Sequence, residues 1–171
     1  VMYYIWHDDV SGLMLMDALR GAAARGVRVR LLVDDNGVTG MDHFLAAMDA
    51  QPNFEVRIFN PSTVRNPKMA GYVLYPLRMN RRMHNKAFIV DGAVAIVGGR
   101  NIGDEYFDVG GKPAYLDLDV LGVGKVVTDT AAIFDEYWNS EPVLALDQVI
   151  TGTGDMAAFD AEFAAATASE A

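Results

Sequence analysis

The chain has 171 residues, a hydrophobic fraction of 51% and a formal net charge of −9, which suits one domain with a core of its own and, if spread evenly, would repel nucleic acid and anionic lipid. It contains no cysteine, which excludes disulfides, a thiol nucleophile and thiolate zinc sites. Its three histidines, His7, His43 and His84, stand at no helical metal-ligand interval, and no apolar run reaches the roughly 18 residues that a membrane-spanning helix needs.

The opening VMYYIW lacks the basic segment of a signal peptide and reads as an aromatic, β-branched strand. The chain starts inside or just before that strand without an initiating Met, as a fragment of a longer protein would. SGLMLMDALRGAAARG follows with helical spacing of Leu13, Met16, Leu19 and Ala23, Ser11 as a candidate N-cap and Gly26 as a stop. VRVRLLVDD predicts a strand ending at Asp34 and Asp35, MDHFLAAMDA a short helix, and FEVRIF a further strand. This β-α-β-α-β rhythm predicts an α/β fold with a mixed, largely parallel sheet flanked by helices.

Pro61, Pro67, Gly71 and Pro76 then punctuate a long loop over residues 60 to 82, a length that marks functional or disordered segments. Within it MAGYVLYPL is apolar, and it is expected either to pack on the domain or to serve as a lid or lipid-touching surface. HNKAFIVDG and AVAIVGG predict two strands joined by a turn at Asp91-Gly92. NIGDEYF predicts a helical turn and YLDLDVLGVG a strand. KVVTDTAAIFDEYWNS predicts an amphipathic helix, with Thr128 as cap and Ile133, Phe134, Tyr137 and Trp138 as its buried face. Residues 1 to 141 are expected to form one domain. The Gly-, Ala- and Asp-rich remainder, 142 to 171, is expected as a linker or weak helix that begins a connection to a further half.

The charge is not even. From Asn60 to Asn101 the cations are Arg65, Lys68, Arg78, Arg81, Arg82, Lys86 and Arg100, and the only acid is Asp91. This is either a solvated basic loop or an anion site. Alternation along a strand puts His84 and Lys86 on one side with Phe88 and Val90, and Ala87 and Ile89 on the other, so the strand is expected to be buried on both faces. A lone histidine at a strand start is more often a hydrogen-bonded structural residue than a catalyst. The combined pattern is rarer: His84, Lys86, then Asp91, then Gly98, Gly99 and Asn101. An imidazole can attack phosphorus, an ammonium can hold phosphoryl oxygens, glycines allow close backbone approach, and an amide can donate to the same oxygens.

HNKAFIVDGAVAIVGGRN resembles the H-x-K-x4-D and glycine-rich signature of the phospholipase D superfamily. NRRMHNK, GGRNIGDEYF and DLDVLGVGKVV are similar to its cardiolipin synthase-like bacterial branch. The resemblance, over roughly residues 1 to 140, implies a phospholipase D-like fold. It implies a phosphohistidine at His84, phosphate binding by Lys86 and Asn101 together with Gly98 and Gly99, and a structural, ion-pairing Asp91. It implies an acid that orients the histidine, with Asp117 and Asp119 both candidates. Arg78, Arg81, Arg82 and Arg100 are candidates for head-group or lipid contacts. Gly99 stands where many members carry serine. No metal and no cofactor are implied.

Family chemistry uses two facing histidines, and this sequence has one such motif. The second is expected from a further half absent from this chain or from the partner in a twofold homodimer. The implied activity is that of a phosphatidyltransferase or phospholipase at a bacterial membrane surface, with phospholipid and an alcohol or lipid acceptor as substrates. The alternatives are a homodimeric phosphodiesterase or nuclease, which the net charge disfavours, and an inactive fragment that binds anionic head groups.

Overall fold

The structure is a computed structural model and describes residues 1–62, 64–65, 76–111 and 114–168. Its elements are β1 (Met2–Tyr3), α1 (Val10–Ala24), β2 (Val29–Asp34), α2 (Asp42–Asp49), β3 (Phe54–Phe59), α3 (Pro76–Met79), β4 (Ala87–Val90), β5 (Val94–Gly98), α4 (Asp104–Phe107), β6 (Asp119–Val123), α5 (Lys125–Trp138), β7 (Val143–Ala145) and α6 (Met156–Ala168). Most of the apolar stretch in the long loop, residues 69 to 75, lies outside the described residues, and Leu77 at its end is 86% exposed.

The strands form one seven-stranded sheet in the order β6-β5-β4-β1-β2-β3-β7. The expected mixed α/β sheet is present, with a narrower parallel part than expected. Only β1–β2 and β2–β3 are parallel, while β1–β4, β4–β5, β5–β6 and β3–β7 are antiparallel. Of these, only β4–β5 is a tight hairpin, which returns a strand antiparallel where a helical crossover would return it parallel; β4, β6 and β7 join the sheet after longer connections.

Two cores lie on opposite faces of the sheet. On one, Leu31 and Val33 of β2 and Val56 and Ile58 of β3 pack under Leu13, Met16 and Leu19 of α1, Phe44 and Met48 of α2, and Phe159 of α6. On the other, Met2, Leu32, Phe59 and Ala87 meet Phe134 and Trp138 of α5. The segment after Pro142 joins this architecture: β7 pairs with β3, and α6 carries the wholly buried Phe159 against Phe44.

Three local expectations are corrected. Helix α1 is capped by Asp9, whose Oδ1 accepts from Gly12 N at 3.1 Å, so Ser11 lies within the first turn. Ser11 N donates instead to Asp104 Oδ1, and Asp104 N donates back to Asp9 Oδ2, so α1 and α4 cap one another. Helix α5 starts at Lys125 after Gly124, whose positive φ of 76° ends β6, which leaves Thr128 inside the helix. Ile133 is 45% exposed, because Val127, Phe134 and Trp138 make the face that α5 buries.

Strand β4 is not buried on both sides. Helix α5 covers the face bearing Ala87 and Ile89, while Val90 on the other face is exposed. In register, Phe88, Ile96 and Leu121 form one row on that open face, and Val90, Val94 and Val123 a second. Leu121 and Val123 are each 66% exposed, and β6 is the edge of the sheet. Met14 and Leu15 of α1 and Phe107 of α4 border a groove of about 540 Å³ over Phe88 and Ile96.

Candidate active site

The H-x-K segment enters the sheet at the end where β1 and β2 finish. His84 and Lys86 precede the regular strand, which begins at Ala87. His84 is exposed and stacks on Tyr4 with ring centroids 4.1 Å apart and planes at 23°. Lys86 is half-buried. Its Nζ donates to the His84 carbonyl oxygen at 2.8 Å and stands 5.6 Å from the centre of the same Tyr4 ring. Burial lowers the Lys86 ammonium below its ordinary range, and the nearby Asp117 carboxylate opposes that shift. One aromatic ring thus seats both the imidazole and the ammonium, and no hydrogen-bonded carboxylate neutralises Lys86 among the described residues.

The other residues singled out by the sequence divide into those brought to this point and those placed elsewhere. The β4–β5 register, carried one step past Ala87 and Val97, sets Lys86 beside Gly98, and Gly98 pairs with Asp119. Gly99 N donates to Leu118 O at 3.1 Å, so this amide serves the sheet edge. A side chain at Gly99 would collide with the Asp117 carboxylate, which therefore lies directly across that glycine. Asp119 is committed to Arg100: its Oδ2 accepts from Arg100 Nε at 3.0 Å and its Oδ1 from Arg100 N at 3.3 Å. Asp117 is the freer of the two acids, exposed and beside Lys86. Neither carboxylate hydrogen-bonds His84 among the described residues.

Asn101 is buried. Its Oδ1 accepts from Ile5 N at 3.1 Å and its Nδ2 donates to the Tyr106 hydroxyl at 3.0 Å, so it ties the glycine-rich segment to the end of β1. Asp91 lies at the far end of β4 from Lys86, in the hairpin turn, with φ 52°, and makes no ion pair among the described residues.

Of the candidate head-group cations, Arg81 is exposed. The others have structural partners. Arg78 donates to Pro61 O at 3.0 Å. Arg100 also binds the carbonyls of Tyr106 and Asp117. Arg82 is paired with the fully buried Asp34 at 2.9 Å. Earlier in the basic stretch, Arg65 pairs with Asp35 and Asp42.

Two features were not anticipated from the sequence. Tyr4 is a site residue, hidden in an aromatic run that reads as core; the signal available was alternation, which buries Tyr3 and turns Tyr4 outward. The second is a cluster of His7, Asp9 and Glu105, whose ligand atoms lie within 4.8 Å of one another and could hold a cation. In it His7 Nδ1 is 3.3 Å from Glu105 Oε1. Asp9 already serves as helix cap, and its burial pushes its carboxyl up against the two backbone N–H groups that favour the anion.

A family profile described as "Cardiolipin synthase, PLD-like domain" matches residues 1–138. The chain belongs to this family. The phospholipase D-like domain is 52% identical over 158 residues to cardiolipin synthase C of Escherichia coli (strain K12), an alignment that covers 92% of this chain and 33% of that protein. It is 32% identical over 154 residues to cardiolipin synthase 1 of Staphylococcus epidermidis, covering 85% of this chain and 29% of the relative. The chain therefore spans about a third of the length of the curated relatives it matches. Among solved structures, NucT from Helicobacter pylori shares the fold, with a TM-score of 0.59 at 15% identity, covering 84% of this chain and 79% of that one. Among the described residues no helix is long and apolar enough to cross a membrane.

Proposed function

We propose that this phospholipase D-like domain supplies one half of the active site of a cardiolipin synthase-like phosphatidyltransferase. His84 is the nucleophile. Its imidazole nitrogen attacks the phosphorus of a phospholipid, the bond from phosphorus to the head-group oxygen breaks, and the departing oxygen takes a proton from a second histidine. An acceptor alcohol then gives its proton to that histidine and attacks the phosphorus, the P–N bond breaks, and His84 is regenerated. Lys86 holds the phosphoryl oxygens as charge builds on them. Asp117, beside Lys86, is the acid that orients the site. The observation that carries this reading is the pairing, on one tyrosine ring, of an exposed imidazole and an ammonium with no hydrogen-bonded carboxylate among the described residues.

The second histidine comes from another motif-bearing half, and the open face of β4, β5 and β6 is where that half sits. The rows Phe88–Ile96–Leu121 and Val90–Val94–Val123 are apolar, with Val90, Ile96, Leu121 and Val123 exposed and Phe88 and Val94 half-buried, and they continue directly into the Lys86–Gly98–Asp119 row. A half docked there faces Lys86. Exposed apolar surface on an unprotected edge strand is otherwise a liability for association. The relatives' threefold greater length leaves room for such a half in one chain. A membrane surface is the workplace, since the phospholipid substrate resides there.

The test is cardiolipin formation from phospholipid by the full-length gene product, in EDTA. Activity that disappears with His84→Ala supports the reading. Unchanged cardiolipin in cells carrying His84→Ala would sink it, and nucleic-acid cleavage lost in that variant would favour the nuclease alternative.

A further inference from the structure

The segment that delivers His84 is held by a buried polar arrangement. Asp34, at the end of β2, is fully buried. Its Oδ2 accepts from Met83 N at 2.8 Å, one residue before His84, and its Oδ1 accepts from Arg82 Nη1 and Asn36 N, each at 2.9 Å. Arg82, with its side chain 9% exposed, reaches on to Asn60 O at 3.2 Å. Asn60 adopts a positive φ of 46° at the end of β3 and spends its amide on the carbonyls of Arg78 and Arg81, at 2.7 and 2.8 Å. Two adjacent parallel strands thus grip the three residues before His84 through one carboxylate, one guanidinium and one amide.

A buried ion pair is weak support for stability, because desolvation offsets its attraction, and apolar replacements are often neutral or better. Here the cost is visible: burial pushes the Asp34 carboxyl up despite three donors, and Arg82 Nε is buried without a hydrogen-bond partner. In some systems what such pairs supply is register. We propose that Asp34, Arg82 and Asn60 form a positioning brace that fixes the His84 imidazole on Tyr4, and so in line with Lys86. This rests on the reading of His84 as nucleophile. Nothing in the brace touches the reacting atoms. It acts by denying the Arg81–Met83 backbone the small rotations that would unstack the imidazole, and a displacement of about 1 Å at a reacting group can cost on the order of 100-fold in rate.

The experiment uses the 171-residue chain with ¹⁵N-labelled histidine. Its three histidines make the imidazole spectrum assignable by single substitutions. The variant is Asp34→Asn/Arg82→Met, which removes both charges together so that neither remains buried alone, while the asparagine oxygen still accepts a backbone N–H. The expected result is an unfolding midpoint that is unchanged or raised, with the His84 ring protons losing the upfield shift given by Tyr4 and those of His7 and His43 unmoved. If the His84 resonances stay in place, the brace does not position it and the proposal falls. Should the double variant fail to fold, Arg82→Lys is read in the same way, since lysine keeps the charge but cannot span Asp34 and Asn60 together. In the full-length gene product, the double variant should lower turnover about 100-fold with little change in KM. Failure of the nucleophile reading would show separately, as transfer that survives His84→Asn while the resonance shift in the brace variant is still seen.

Discussion

Gly98 and Gly99 are neighbours in sequence but meet different kinds of obstacle, and alanine at each should separate them. A Cβ on Gly98 would lie 2.7 Å from Asp119 Cα and closer still to the Leu118 carbonyl oxygen and the Asp119 carboxylate. The first two are backbone of the paired strand β6 and cannot rotate away, so β6 must separate from β5. A Cβ on Gly99 would meet only the Asp117 side chain, with Cγ at 3.2 Å, and that side chain is exposed and free to swing outward. Forcing a group into an unyielding contact costs about 1–3 kcal/mol, whereas a substitution that displaces only an exposed side chain stays within about 0.5 kcal/mol. Gly98→Ala should therefore destabilise the chain by about 2 kcal/mol. Gly99→Ala should leave stability nearly unchanged while moving Asp117 away from Lys86. Urea unfolding followed by tryptophan fluorescence suits this comparison, because Trp6 and Trp138 report on the cores of opposite sheet faces. Equal losses, or a larger loss for Gly99→Ala, would refute the assignment of backbone collision to one glycine and side-chain collision to the other.

Asp117→Asn should lower the Lys86 pKa further, since burial already lowers it and Asp117 is what opposes that; ¹³Cε titration by NMR measures the direction. A lysine whose folded pKa lies below its unfolded value destabilises the fold fully at lower pH. That penalty is relieved as pH rises from the folded pKa toward 10.5, so the variant should start this rise in stability at a lower pH. Phe159→Ala should cost about 3–5 kcal/mol in urea unfolding, because Phe159 is wholly buried between Phe44 and the Arg20 guanidinium. Leu121→Arg, at a position 66% exposed on the open face, should change stability by less than about 0.5 kcal/mol while reducing self-association in sedimentation at high concentration; unaltered association would move the contact elsewhere.

Much of the fold was legible because local signals and tertiary demands agree. FEVRIF is β3 to the residue, and the strand expected in VRVRLLVDD ends at Asp34, the last residue of β2. The caps misread at Ser11 and Thr128 have a common cause: a neighbouring residue had the better geometry. Asp9 sits extended before α1, and Gly124 turns the chain so early that Thr128 is already helical. The site was legible as chemistry but not as allocation. Spacing marks His84 and Lys86, whereas which arginines face solvent depends on contacts far along the chain, such as Arg82 with Asp34, 48 residues away. Tyr4 was hidden for the same reason, since nothing local to YYIW says that His84 will stack on it.

The motif's spacing is itself a hairpin written in sequence. Four residues separate Lys86 from Asp91, and they are strand β4, Ala87–Val90. Asp91 and Gly92 take φ 52° and 64°, and Ala93 N donates to Val90 O at 2.9 Å, which closes a tight turn of the hand that β-hairpins favour. Strand β5 then returns, and its register delivers Gly98 beside Lys86. On this account Asp91 acts as a left-handed turn residue, at the opposite end of β4 from Lys86. A β-branched residue there should cost about 1–2 kcal/mol, the penalty of the left-handed region, and glycine should be tolerated. Asp91→Val should therefore lower the unfolding midpoint and Asp91→Gly should not, with the His84 ring resonances unmoved in both folded variants. A His84 shift in Asp91→Gly at unchanged stability would mean that the carboxylate reaches the site electrostatically, and the turn account of Asp91 would be wrong.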